Sequence, residues 1–126
     1  MSMKPVRSFT LSFYNNSSDS FEVQEVSALI GQWTAGEEPR QGQIILTGRV
    51  GGPWKTESVE GDDGTGGLLC LMGQQGEVML HWLFMSDGKI EAELGQDKYL
   101  IKSDKLEENS HSNHLIWRFS INDSQS

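Results

Sequence analysis

Hydrophobic and polar residues alternate with a period of two along most of this chain, the repeat of a strand with one face buried. Phe9, Leu11 and Phe13 alternate with Ser8, Thr10 and Ser12. The turn formers Asn15-Asn16-Ser17-Ser18-Asp19 follow and Phe21 and Val23 resume the alternation, which predicts an opening hairpin. Val78, Leu80, Trp82 and Phe84 share one face of a later run while Met79, His81, Leu83 and Met85 share the other. A strand apolar on both faces belongs at the centre of a sheet, and Ser86-Asp87-Gly88 ends it with a turn. Ile90, Ala92 and Leu94, then Leu115, Trp117, Phe119 and Ile121, mark two half-buried strands. Shorter candidates at 43–50, 54–60, 67–72 and 98–102 bring the expectation to about eight or nine strands at sandwich spacing. Only 22–30 offers a helical alternative, and its strong β formers argue against it. The expected fold is a single all-β domain over 1–126, an antiparallel β-sandwich with a polar loop at 107–113 and a frayed tail at 122–126.

Charge narrows the partners. The chain of 126 residues has 18 acidic and 10 basic side chains, a formal net charge of -8 that repels nucleic-acid backbones and anionic lipid surfaces. A membrane partner would have to present neutral or zwitterionic head groups. Cys70 is the single cysteine, so no internal disulfide is possible, and between Leu69 and Leu71 it reads as a small buried hydrophobe. No apolar run has the length of a signal peptide or of a membrane-spanning helix. The protein is therefore expected to be made soluble, and to be cytoplasmic or released by a non-classical route.

Four tryptophans are the leading candidates for chemistry. Trp82 and Trp117 alternate in phase with Leu and Phe and belong to the core. Trp33, in Gly31-Gln32-Trp33-Thr34, and Trp54, in Gly51-Gly52-Pro53-Trp54, are bordered by turn formers. Both could project from loops and bury an amphipathic ring at a membrane interface or against a sugar, or could anchor the loops themselves. The stretch 60–67 places Asp63 in a Gly-rich loop without the spaced oxygen ligands of a calcium site, so a solvated turn is the simpler reading. His111 and His114 have no further zinc ligands at a suitable spacing, and His81 reads as a sheet histidine. No nucleophile elbow, ordered catalytic triad or phosphate loop occurs, so no enzyme, metal or cofactor is expected.

The order of these pieces resembles the aegerolysins: an Asn-rich turn after the first strand, Gly31-Gln32-Trp33, Pro39 through Gln43-Ile44, Asp63-Gly64-Thr65-Gly66-Gly67-Leu68-Leu69, then Gly76-Glu77-Val78 and an aromatic strand. The related actinoporin-like proteins, fungal fruit-body lectins among them, share the Gly-Thr-x-Gly entry to a strand. In this resemblance Trp33 matches the family's loop tryptophan and Asp63 the acid before Gly-Thr-x-Gly. The family's Cys-Gly-Arg is Thr47-Gly48-Arg49 here, and its Trp-Asp-Cys-Pro-Trp signature is replaced by Leu83-Phe84-Met85-Ser86-Asp87. The resemblance implies a β-sandwich that binds membrane lipid of the sphingolipid type, acting with a larger pore-forming partner. Trp33 and Trp54 would then enter the interface while Asp63 holds the head group. Two alternatives stand beside it: a glycan-binding lectin on the same sandwich, and a lipocalin-like barrel carrying a small apolar ligand, suggested by Gly31-Gln32-Trp33 with Arg118 as a late partner.

Overall fold

Period-two alternation at the start of the chain becomes β1, Ser8–Asn16, with Phe9, Leu11 and Phe13 buried and Tyr14 and Asn16 facing out. The computed structural model describes residues 7–59, 63–95, 98–103 and 113–123. Within them the chain continues as β2 (Phe21–Ile30), β3 (Gln32–Trp33), β4 (Ile44–Ile45), β5 (Val50–Glu57) and β6 (Gly64–Met72), then β7 (Glu77–Met85), β8 (Ile90–Gly95), β9 (Tyr99–Ser103) and β10 (His114–Asp123). Two five-stranded sheets result. The first has the order β3-β5-β1-β10-β9 and the second β4-β2-β6-β7-β8. They face each other as a β-sandwich, and the described residues include no helix. The stretch 22–30 is strand β2.

Three expectations change. The Asn-rich turn does not make a hairpin: β1 lies in the first sheet and β2 in the second, so 17–20 arches from one layer to the other. Nor is the sandwich wholly antiparallel. The first and last strands pair in parallel, from Ser8 opposite His114 to Asn16 opposite Asn122, a pairing open to two strands separated by most of the chain. The frayed tail expected at 122–126 is corrected at its start, because Asn122 and Asp123 form the last rungs against Leu100 and Tyr99, and 124–126 lie outside the described residues. The predicted loop at 107–113 falls outside the described residues except for Asn113.

Inward-facing side chains interlock as a chain of rings. Trp82 is fully buried, stacked on Phe9 at 5.8 Å and met edge-on by Trp33 at 5.8 Å. Phe9 continues to Trp117, Trp117 to Phe119, and Phe119 stacks on Phe13 at 5.6 Å, with Trp54 and Phe21 against Phe13 and Tyr99 against Phe21. Trp82 hangs from the second sheet, yet its Nε1–H donates to Oγ1 of Thr56 in the first at 3.0 Å. A side chain at Gly67 would overlap the Trp82 ring, so glycine in β6 is what leaves room for the largest core side chain. The volume between the sheets is filled by rings in a packed sandwich, which answers against the barrel alternative.

The arch is held by a buried polar network. Asn15 Nδ2 donates to the carbonyls of Asp19 (2.8 Å) and Ile45 (3.0 Å), and its Oδ1 accepts from the Ser17 hydroxyl at 2.6 Å. The Tyr99 hydroxyl donates to Asp19 Oδ2 at 2.7 Å while accepting the Gln75 backbone N–H at 3.0 Å, which ties β9 of one sheet to the β6–β7 turn of the other. Burial, then the bond to the Asp19 carboxylate, pushes the Tyr99 phenol up to about 12. The folded protein therefore keeps this proton after the unfolded chain has lost it. The contribution is complete below the usual tyrosine value of 10.0 and is lost as pH rises towards about 12. Tyr99→Phe is expected to lower stability by about 1–3 kcal/mol at neutral pH and to flatten the decline in stability above pH ~10, as read by urea unfolding across that range.

Candidate functional site

The Gly-Gly-Pro run before Trp54 is a bulge inside a strand. Against β1, Trp54 pairs with Leu11 and Gly51 with Phe13, and the register shifts between them where Gly52 and Pro53 are accommodated. The Gly52–Pro53 peptide is cis. Gly52 has φ of 93°, and a Cβ there would lie 2.8 Å from the Leu11 carbonyl oxygen. The bulge restores the inward phase at Trp54, which is 4% exposed and leans on Phe13. The expected loop position of Trp54 is thus corrected: turn-forming residues within β5 mimic a loop but continue a ladder.

Opposite the bulge runs the loop 34–43, fastened on both sides. Thr34 N–H donates to the Lys55 carbonyl (2.8 Å) and Lys55 N–H to the Glu37 carbonyl (2.9 Å), which holds it to β5. Gly42 N–H to the Val23 carbonyl and Val23 N–H to the Gln43 carbonyl, both 2.8 Å, hold it to β2. Pro39 is buried beneath it. A groove of about 570 Å³ lies between loop and bulge, with Glu37, Glu38, Arg40, Gln41, Gln43 and an edge of Trp54 among its lining. Acid, base, amide and aromatic groups therefore face one space on a scaffold fixed to both sheets. Sequence reasoning passed over these polar residues. Their available signal was the length of a charged, glycine-punctuated connection between two short strands.

The three sequence-selected residues do not converge. Of Trp33, Trp54 and Asp63, only Trp54 lines this groove. Trp33, in β3 opposite Thr56, is half-buried against the core. Asp63 is exposed at the entrance to β6, where its carbonyl accepts the Ser86 N–H at 2.6 Å. Arg7 lies beside that corner, donating to the Ser86 carbonyl at 3.1 Å and covering the Phe84 ring at 5.0 Å. His114 is hydrogen-bonded to the Ser8 hydroxyl, and His111 lies outside the described residues. Among the described residues no three His, Cys, Asp or Glu side chains converge on a possible metal position. Cys70 is 4% exposed, and burial, then Glu77 and Glu25, push its thiol up.

Charged side chains of the described strands are unevenly divided between the two outer faces. Among the described strand residues, the first sheet turns Lys55, Lys102 and Arg118 outward against Glu57, with Asp123 exposed at the end of β10. The second turns Glu22, Glu25, Glu77, Glu91 and Glu93 outward with no Lys or Arg. Among the described strand residues the acidic excess thus lies on the outer face of the second sheet.

No protein-family model matches this chain, and no curated protein shows significant similarity to it. Among the described residues no helix is long and apolar enough to cross a membrane.

Trp54→Ala is expected to cost about 3–5 kcal/mol in chemical unfolding, the loss typical of a buried aromatic, and Trp33→Ala less. Near-equal small losses would place both rings outside the core. Cys70 is expected to react with a disulfide reagent at mildly alkaline pH only as fast as the protein unfolds; rapid labelling of the native protein would contradict its burial.

Proposed function

We propose that this protein is a non-enzymatic binding module whose groove at Trp54 receives the head group of a zwitterionic membrane lipid. The observation that carries the reading is the set of opposite charges in one groove: Glu37 and Glu38 suit the cationic end of such a head group and Arg40 its phosphate. The aromatic edge of Trp54 suits the methylated ammonium between them. A second feature supports membrane contact. Among the described residues Tyr14 and Val50 are exposed large hydrophobic side chains directly opposite each other across β1 and β5, and exposed Leu46 lies in the turn that leads into β5, where the Gly48 N–H donates to the Asn15 carbonyl. These side chains take the interfacial role first expected of Trp33 and Trp54, of which Trp54 is buried and Trp33 half-buried against the core. Desolvating them drives attachment without positive charge. The pattern resemblance to aegerolysins points to sphingolipid as the lipid class.

The test is sedimentation with neutral phospholipid vesicles, with and without a choline-bearing sphingolipid. Binding to the sphingolipid vesicles is expected to fall by about tenfold in Arg40→Glu, where the phosphate contact is reversed, and in Leu46→Glu, where the apolar contact is lost. Binding unchanged in both variants, or absent from both vesicle types, overturns the reading. Gln41 and Gln43 add donors and acceptors that would serve sugar hydroxyls equally. Binding on a glycan array by a protein that ignores vesicles would move the same groove to the lectin alternative.

A further inference from the structure

The outer face of the second sheet has a composition that neither the core nor the head-group groove explains. In strands β6 and β7 the outward positions include Leu68, Cys70, Met72, Met79, Leu83 and Met85, with the His81 imidazole among them opposite Leu68 and Glu77 at one end. Met79 is 41% exposed and, buried Cys70 apart, the other apolar side chains are partly exposed, so this is an apolar strip open to water along the two inner strands. Met72, Met79 and Met85 are all the methionines of the chain apart from Met1 and Met3. Unbranched thioether side chains on a surface are costly to leave wet and easily reshaped against a partner.

Both flanks of this strip are acidic. On the β2 side Glu22 lies opposite Met72 and Glu25 opposite Cys70, which itself faces Met79. On the β8 side Glu91 lies opposite Leu83 and Glu93 opposite His81, while Glu77 closes one end next to Met72. The nearby described cations are Lys89, exposed and 3.3 Å from Glu91, a pair that solvent weakens, and Lys98, exposed beside Gly76 at the Glu77 end, so the five glutamates remain in excess. Burial first, then Glu77 and Glu25, push the Cys70 thiol up, in line with the glutamates that register places around it. Strand register alone places the acids in two rows with the methionines and leucines between them.

We propose that this face is a docking site for a basic amphipathic helix of a partner protein, its apolar stripe on the methionine and leucine strip and its flanking lysines or arginines against the glutamate rows. Charge complementarity selects this occupant. A second copy of the same face would oppose glutamate to glutamate, and an anionic lipid surface would be repelled by both rows. A helix with an apolar stripe between basic flanks satisfies both the strip and its borders, in the manner of helix recognition by pliable methionine surfaces. The site shares no residue with the Trp54 groove, so the two can fail separately.

The probe is a fluorescently labelled amphipathic peptide built of leucine and lysine, with a leucine and glutamate counterpart, titrated with the whole protein. Saturable binding of the basic peptide alone is expected. It should weaken by about tenfold or more in the double variant Glu25→Lys/Glu93→Lys and in Met79→Lys, and by less than about twofold in Glu37→Lys/Glu38→Lys, which makes the same charge change in the other groove. Thermal unfolding confirms that each variant is folded; Met79 and Glu93 are exposed, which favours this. Absence of saturable binding overturns the proposal. So does an equal loss in the two charge-reversed double variants, which would mark attraction to bulk charge only. Equal binding of the acidic peptide, or loss of vesicle binding in Met79→Lys without loss of peptide binding, overturns it as well, the latter giving the face to a membrane.

Discussion

Burial of Trp82 between the sheets is the constraint on which the rest of the sandwich depends. The ring belongs to β7 but its indole N–H finds its acceptor, Thr56, on the other sheet. An indole enclosed in this way must have a partner, since a buried donor left unsatisfied costs about 1–3 kcal/mol. One hydrogen bond thereby fixes the lateral position of β7 against β5, and Gly67 fixes the depth at which the ring lies. From that point the other rings follow in contact, Phe9 on one face of Trp82 and Trp33 at its edge, then Trp117, Phe119 and Phe13. All four tryptophans are drawn into this one assembly.

That assembly explains why candidate chemistry moved from aromatic to polar side chains. A tryptophan enclosed by Phe13 and its neighbours can present only an edge to a ligand, so the recognising groups at the Trp54 groove are Glu37, Glu38, Arg40 and the two glutamines. The loop that carries them is fastened to both β2 and β5, giving a recognition surface held by backbone hydrogen bonds at each side. At the other chain crossing, the Asn15, Asp19 and Tyr99 network serves the fold. Its polar atoms are turned on one another, which stiffens the arch and ties the sheets together.

Much of the architecture was legible because strand periodicity is local. The in-phase hydrophobic positions of β1, β7 and β10 are the buried ones, and the all-β class follows from them. Other readings failed where local chemistry has two structural outcomes. Asn15 to Asp19 suits a hairpin turn and an arch alike, and the choice depends on which strand each side finds as a neighbour. Gly51-Gly52-Pro53 suits a loop and a bulge alike, and pairing of Trp54 with Leu11 settles it. β7 does take the inner position its two apolar faces predict, between β6 and β8, but its second face is outward, since nothing among the described residues packs over it as a third layer.

By itself the sequence determined the all-β class, the single-cysteine chemistry, the core positions of Trp82 and Trp117, and a net charge of -8. These depend on residue type and on periodicity, which need no partner strand to be read. Only the tertiary structure decided that the first strand runs parallel to the last, that Trp54 joins the core with Trp33 half-buried against it, and that the charges of the described strands divide unevenly between two faces. Each is a consequence of which strands lie side by side. Register across β2, β6, β7 and β8 brings glutamates that are far apart in the chain to the borders of one methionine strip, an arrangement no one-dimensional pattern encodes.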